Sequence, residues 1–198
     1  HNAFLVGPPG AGKTMLARRI PSILPPLSAD EALMITALHS IAGLTSASPA
    51  LSRERPFRAP HHTISAAALV GGGSVIRPGE VSLSHHGVLF LDELCEFRPA
   101  AIESLRQPLE DGVVTISRTR ERATFPARPM VVGAQNPCPC GYAGSSRCSC
   151  SRESVRRYRA RLSGPMLDRF DLHVVLPPVD VPSLRSPSLG ESSAAVAS

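Results

Sequence analysis

Eight consecutive residues, Gly7-Pro8-Pro9-Gly10-Ala11-Gly12-Lys13-Thr14, constrain this chain more than any other stretch. They follow a short apolar run, Ala3-Phe4-Leu5-Val6, and precede a segment of helical character from Thr14 to Ile20 that stops before Pro21. A glycine-rich turn between a buried strand and a helix lets the backbone approach a ligand closely, because glycine accepts φ > 0 and successive N–H groups can turn toward one centre. The pattern G-x-x-x-x-G-K-[ST] adds a lysine for β- and γ-phosphates, a hydroxyl for Mg²⁺ and the positive end of the following helix. Average residue frequencies put the four fixed positions together by accident in roughly one chain per hundred of this length. The stretch therefore predicts a nucleoside triphosphate cradle made of Gly7, Pro8, Pro9, Gly10, Ala11, Gly12, Lys13, Thr14 and Met15. Lys13 is the sole lysine among 21 basic residues and falls where the chemistry demands one.

A partner motif lies 78 residues downstream of Thr14. The continuous apolar run Val88-Leu89-Phe90-Leu91 delivers Asp92 and Glu93 at its C-terminal end, the edge where open α/β sheets bind ligands. Asp92 is expected to hold Mg²⁺ together with Thr14, and Glu93 to polarise an attacking water. A second carboxylate with a water to activate favours hydrolysis over transfer to another substrate.

The rest of the pattern alternates strands and helices, which predicts an α/β fold with a largely parallel sheet. Ser28 and Glu31 form a capping box at the start of a helix that runs to about Ala42. Residues 45–60 read as loop, and Gly71–Gly73 and Arg77-Pro78-Gly79 as turns. Pro99–Leu109 reads as one helix, Val113–Ser117 and Arg118–Phe125 as a polar hairpin, Met130–Ala134 as a third buried strand, Glu153–Leu162 as a basic helix and Leu172–Leu176 as a fourth apolar strand. The tail from Val179 is rich in Pro, Ser and Ala.

Composition excludes whole classes. With 198 residues, 42% hydrophobic and 19% charged, the chain suits one domain with a proper core and does not suit wholesale disorder, collagen or coiled coil. Its apolar runs are too short to span a bilayer. No secretory signal opens the sequence, so a cytoplasmic location is expected. The formal net charge of +5 is weak evidence for nucleic acid, because 20 of the 21 basic residues are arginine.

Beyond these two motifs, several segments are distinctive. They are Arg55-Pro56-Phe57-Arg58-Ala59-Pro60-His61-His62-Thr63-Ile64-Ser65, the run from Gly79 to Glu93 that holds His85-His86, the block Asn136-Pro137-Cys138-Pro139-Cys140-Gly141, and the stretch from Arg159 to Leu172. On these residues the chain resembles the magnesium-chelatase-like branch of the AAA+ ATPases, the YifB/ComM family, over residues 1 to about 178. The resemblance implies a P-loop AAA+ core over 1–178, with a β-hairpin insert and a Cys-rich insert at 137–150. Residues 179–198 would then be a tail that starts a truncated helical lid, since Gly190-Glu191-Ser192-Ser193 resembles the lid entry; the lid itself is expected to be absent. It implies that Asn136 is the sensor that orients the lytic water, and that Arg169 is an arginine finger presented to a neighbouring subunit's ATP. It also implies a hexameric ring that moves DNA, with branch migration or helicase-like action. The alternatives are a motor subunit of a metal chelatase, or a truncated module that binds nucleotide and zinc without hydrolysis.

Three further groups carry chemistry. Cys138-Pro139-Cys140 and Cys148-Ser149-Cys150 put four thiols on one short loop, which suits a tetrahedral zinc site better than disulfides in a chain without a secretory signal. Arg118, Arg120 and Arg122 alternate, so in a strand they would project from one face and track a phosphate backbone. In the resembling family a hairpin here points into the ring's pore. The basic helix adds Arg152, Arg156, Arg157, Arg159 and Arg161, with Tyr158 as a stacking candidate. The pairs His61-His62 and His85-His86 are expected to pack or to serve an interface, because adjacent histidines in a strand point apart.

Overall fold

A computed structural model describes residues 1–44, 51–73, 75–118, 121–179 and 190–197. The chain begins with β1 (Ala3–Val6), which turns through the glycine loop into α1 (Lys13–Arg19) and a 3₁₀ turn at Ile20–Ser22. Helix α2 (Ala29–Ile41) starts at the predicted capping box: the Ser28 side chain accepts from the Glu31 amide, and the Glu31 carboxylate accepts from the Ser28 amide. It ends at Ala42, and Gly43 follows with φ 74°, a value that favours glycine.

The segment read as loop up to residue 60 contains a two-residue strand, β2 (Phe57–Arg58). Then come α3 (Ala66–Val70), a small antiparallel pair β3 (Gly71–Gly72) and β4 (Arg77–Pro78), α4 (Glu80–Leu83) and β5 (Val88–Leu91). The glycine-rich turn is thus a minimal ribbon. Glycine is required there by contact: a Cβ on Gly79 would lie 2.3 Å from the Gly71 amide nitrogen.

The helix predicted over Pro99–Leu109 is broken in two, α5 (Pro99–Glu103) and α6 (Arg106–Asp111). Pro108 explains the break: it has no N–H to offer the Ser104 carbonyl four residues back, and its ring crowds that carbonyl. Next come β6 (Val113–Ser117), β7 (Arg122–Pro126), β8 (Met130–Gln135), α7 (Arg152–Arg159), α8 (Gly164–Leu167), β9 (Leu172–Val175) and a short α9 (Ser193–Ala197). The tail expected from Val179 falls partly on 180–189, which lie outside the described residues; beyond them, Ser193 at the start of α9 touches Ser22, Oγ to Oγ at 2.9 Å.

The main sheet has five parallel strands in the order β2-β5-β8-β1-β9. The fold is the expected α/β P-loop core. Its inner strands read as unbroken apolar runs because both faces are covered. Along β5, Leu89 and Leu91 enter a core shared with Phe4, Leu69, Leu94, Leu105 and Met166, while Val88 and Phe90 enter a second core with Leu5, Ala17, Val132 and Ala134. Every residue of β5 is buried. Strand β9, apolar but for His173, is an exposed edge. No helix among the described residues is long and apolar enough to cross a membrane.

Candidate functional site

The strand order positions the site. Strand β8 lies between β1, which feeds the glycine loop, and β5, which feeds the carboxylates. Three chain segments far apart in sequence therefore end side by side at one edge of the sheet. Gly7 opens the loop with its amide donating to the Gln135 carbonyl at 3.2 Å, and a Cβ there would sit 2.9 Å from the Leu176 carbonyl oxygen. Gly10 (φ 77°) and Gly12 (φ 82°) hold the left-handed backbone, and Gly12 caps α1 without help from any side chain. Ala11 is buried, and Met15 is 60% exposed on the first turn of α1.

Lys13 extends back over the loop. Its Nζ donates to the carbonyls of Gly7 (2.7 Å) and Pro8 (3.0 Å) and to Asn136 Oδ1 (3.0 Å). Burial holds the ammonium below its usual pKa, while the carboxylates of Asp92 and Glu93 pull it back up. The Thr14 hydroxyl donates to Asp92 Oδ2 at 2.8 Å across the 78 residues that separate them. The other Asp92 oxygen accepts from the Glu93 amide at 3.0 Å, which fixes the carboxylate's plane. Asp92 is thus aimed at Thr14 in the arrangement two cation ligands need. The donor set suits Mg²⁺, a hard ion that takes oxygen ligands.

Glu93 has a left-handed backbone (φ 52°, ψ 47°), uncommon outside glycine. Its carboxylate lies 3.3 Å from His62 Nδ1. Sequence reasoning assigned His61-His62 to packing or an interface and so missed His62. Only the placement of β2 beside β5 reveals it. A cavity of ≈ 280 Å³ lined by Thr14, Arg18, His61, His62, Asp92 and Glu93 opens here. In the other pair His85 is buried as expected and His86 Nδ1 lies 3.3 Å from Glu31, but the two rings do not point apart: they pack with centroids 3.9 Å apart, because His86 has a left-handed backbone (φ 56°) and not a strand one.

Arg169 lies elsewhere. Its backbone carbonyl accepts from Asn2 Nδ2 at 2.8 Å, next to the start of β1, whereas the glycine loop follows the end of β1. The side chain therefore sits at the opposite edge of the sheet from the cradle. It pairs with Glu110 on α6, and not with its neighbours Asp168 or Asp171 in sequence; its Nε is buried without a hydrogen-bond partner.

The four cysteines converge. Cys138 Sγ lies 3.3 Å from Cys140 and 3.9 Å from Cys148, Cys140 and Cys148 are 3.7 Å apart, and all four sulfurs lie within 4.8 Å of one another. Thiolates at the usual Zn–S length in a tetrahedron stand about 3.8 Å apart. The set therefore fits a zinc ion in ligand type, number and spacing. Backbone N–H donors from Tyr142 and Ser149 bring the Cys140 thiol down to about 6. The loop also touches the cradle: a Cβ on Gly141 (φ 86°) would lie 2.5 Å from Pro9 Cδ.

The basic elements depart from expectation. Arg118 is not in a strand but in the hairpin turn, where its amide donates to the Glu121 carbonyl at 2.8 Å. Arg122 opens β7, and Arg120 lies outside the described residues. The side chains of Arg118 and Arg122 are exposed at the hairpin tip and do not form a strand face. Tyr158 is buried, so it belongs to the core and is no stacking platform. Cys95 is buried too, its thiol donating to Gln135 Oε1 at 2.7 Å.

Comparison with known proteins settles the lineage. The family described as magnesium chelatase, subunit ChlI, matches residues 1–184. This chain belongs to the magnesium chelatase family. Within reach of it are the uncharacterised YifB of Escherichia coli, 50% identical over 198 residues, and the competence protein ComM of Haemophilus influenzae, 46% identical over 197 residues. Each comparison covers 99% of this chain, but only 39% of YifB and 38% of ComM. This magnesium chelatase family chain thus spans well under half the length of these relatives. A more distant relative is the DNA replication licensing factor mcm-6 of Caenorhabditis briggsae, 25% identical over 176 residues, 88% of this chain and 18% of that protein.

Proposed function

We propose that this chain is the ATP-binding and ATP-hydrolysing core of an AAA+ motor that acts on DNA as a hexameric ring, with branch migration or a helicase-like movement as its output. The observation that carries the proposal is the Thr14–Asp92 hydrogen bond, because it brings together two oxygen ligands for Mg²⁺ from segments 78 residues apart that this sheet order joins. The loop Gly7–Met15 holds the triphosphate, and Lys13 moves its three donors from protein oxygens to phosphate oxygens. Thr14 and Asp92 hold Mg²⁺, which neutralises phosphate charge when bound. Glu93 takes the proton of the attacking water. Asn136, released by Lys13, orients that water through its side-chain oxygen.

Arg169 acts in trans. Its distance from its own cradle supports a role toward a neighbouring copy, and this is the support for a ring. A guanidinium is worth most where phosphoryl charge develops in a site closed to water. The name of the mcm-6 relative, a DNA replication licensing factor, supports DNA as the substrate, as do the exposed Arg118 and Arg122 at the hairpin tip. Arg120 is placed in the same group by sequence alone. Cys138, Cys140, Cys148 and Cys150 hold zinc, which braces the loop between Asn136 and α7.

A second reading, a motor subunit for a metal chelatase, is favoured by the family's own description. Steady-state ATP turnover of the full-length protein, with and without DNA, separates the readings. Stimulation by DNA, lost in Lys13→Ala, supports the motor. Turnover indifferent to DNA but raised by a chelatase partner supports the second reading. Nucleotide binding without turnover supports a module that does not hydrolyse. Metal analysis tests the thiols: one zinc per chain is expected, lost in Cys138→Ser.

A further inference from the structure

The basic helix α7 is a sequence motif that the proposed function leaves unused. Residues 147–161 hold six arginines against one glutamate, a net charge of +5 that equals the formal charge of the whole chain. Zinc on four thiolates would offset two of those charges and leaves the excess positive. Arg156, Arg157 and Arg159 suit the negative end of a helix. That accounts for their sign and not for what they face.

The helix sorts them by side. Ser154, Arg157 and Arg161 recur at i, i+3 and i+7 and share one side, whereas Arg152, Arg156 and Arg159 fall on the opposite one. The first side is concave. A cavity of ≈ 360 Å³ is lined by Pro139, Ser154, Arg157, Tyr158 and Arg161. Pro139 stands between Cys138 and Cys140, so the cysteine loop forms one wall, and the buried Tyr158 forms the floor. The hollow shares no lining residue with the cavity beside Asp92 and Glu93.

Its two guanidinium groups are held differently. Arg161 is anchored: Nη1 donates to the Cys95 carbonyl at 3.3 Å and to Glu96 Oε2 at 2.9 Å, and the group lies 5.8 Å from the centre of the Tyr158 ring. The Arg157 side chain has no hydrogen bond or ion pair among the described residues. The two cations sit one helical turn apart, where like charges repel. Glu96 balances one of them and nothing within the chain balances the other. Two guanidinium groups and a hydroxyl around one hollow form a donor set for a phosphate, whose oxygens a guanidinium meets with paired N–H groups. The excess charge continues past the hollow onto the other side of α7, which suits a polyanion better than a single anion.

We infer that the hollow between α7 and the Cys138–Cys150 loop binds a backbone phosphate of a polynucleotide, held by Arg157 and Arg161 with the Ser154 hydroxyl. The inference rests on DNA as the substrate, as proposed above.

The test is binding of a labelled single-stranded oligonucleotide to the full-length protein, read by fluorescence anisotropy across a salt series. Arg157→Gln is expected to raise Kd about tenfold and to reduce the slope of log K against log salt by about 0.7. Arg157→Lys keeps the charge and is expected to keep the slope. Thermal midpoint and zinc content stay at wild-type values in both, because the Arg157 side chain has no partner to lose. The double variant Arg152→Gln/Arg156→Gln removes charge from the opposite side and is expected to weaken binding less than Arg157→Gln. An equal or larger loss there, or an unchanged Kd and slope in Arg157→Gln, overturns the inference. Calorimetry with inorganic phosphate separates the sources of the anion: saturable binding that Arg157→Gln abolishes, with oligonucleotide affinity intact in that variant, overturns the polynucleotide in favour of a free anion. A wild-type protein that binds no oligonucleotide overturns DNA as the substrate, and the inference with it.

Discussion

The two ends of the parallel sheet differ in how far they are finished. At the C-terminal end of the strands, Lys13 donates to Asn136 and Thr14 to Asp92, so polar groups from distant segments are paired with one another. At the other end, Arg169 rests on Glu110 with one guanidinium nitrogen buried and unpartnered, beside the exposed edge strand β9. A buried donor without a partner costs free energy that the chain alone does not recover. The contrast teaches that one end has its polar groups paired within the chain, while the other leaves a guanidinium nitrogen unpaired, which is where the proposed role in trans would act.

The sharpest way to break that contrast is Arg169→Ala. A finger acting in trans predicts a loss in turnover on the order of a thousandfold with nucleotide binding retained. Mixing Arg169→Ala with Glu93→Gln restores measurable turnover, because some mixed sites then hold an intact base from one copy and an intact guanidinium from the next. No recovery on mixing would place Arg169 outside the reaction. Lys13→Ala, at the finished end, lowers turnover by about a hundredfold or more and also weakens nucleotide binding, read by a fluorescent ATP analogue.

Stability separates the strands in the same way. Leu91→Ala in β5 is expected to cost about 2–5 kcal/mol in denaturant unfolding, because the side chain is fully buried. Val175→Ala in β9, where the side chain is 79% exposed, stays within about 0.5 kcal/mol. Equal losses would mean that β9 is covered in the folded protein. Gly141→Ala pushes on Pro9 and is expected to weaken ATP binding several-fold while zinc content is unchanged; metal analysis alongside binding checks both.

The smallest effect concerns pH. Burial lowers the His85 imidazole to about 4 from its usual 6.5, helped by His86 and Arg128. Its Nδ1 accepts the Arg128 amide at 3.0 Å, a contact that a protonated ring loses. Between about 4 and 6.5 the unfolded chain therefore binds more protons, and stability falls as pH falls through this window. The thermal midpoint of the wild type should drop over that range, and His85→Gln should flatten the slope.

Much of the cradle was legible because its chemistry is local in sequence. Gly7–Thr14 and Asp92-Glu93 each occupy one turn at the end of one apolar strand, and both turns fold as read. The capping box at Ser28 was equally local. What escaped was set by neighbours in space. Pro108 broke a helix whose apolar pattern ran straight through it. Strand β2 is too short to announce itself, and exists because Phe57 and Arg58 pair with Val88 and Leu89. The alternation of Arg118, Arg120 and Arg122 suggested a strand face, but the chain turns at Arg118. Arg169 chose Glu110, 59 positions away, over the acids beside it.

The sequence by itself determined that this chain offers a phosphate loop, a carboxylate pair and four clustered thiols, because each of those is a short run whose residue types are fixed by the ligand it would hold. Only the tertiary structure decided that β8 lies between the loop and the carboxylates, that His62 reaches Glu93, and that Arg169 faces away from its own cradle. Strand order and the packing of two cores across the sheet govern those distances, and neither is written in any single stretch of residues.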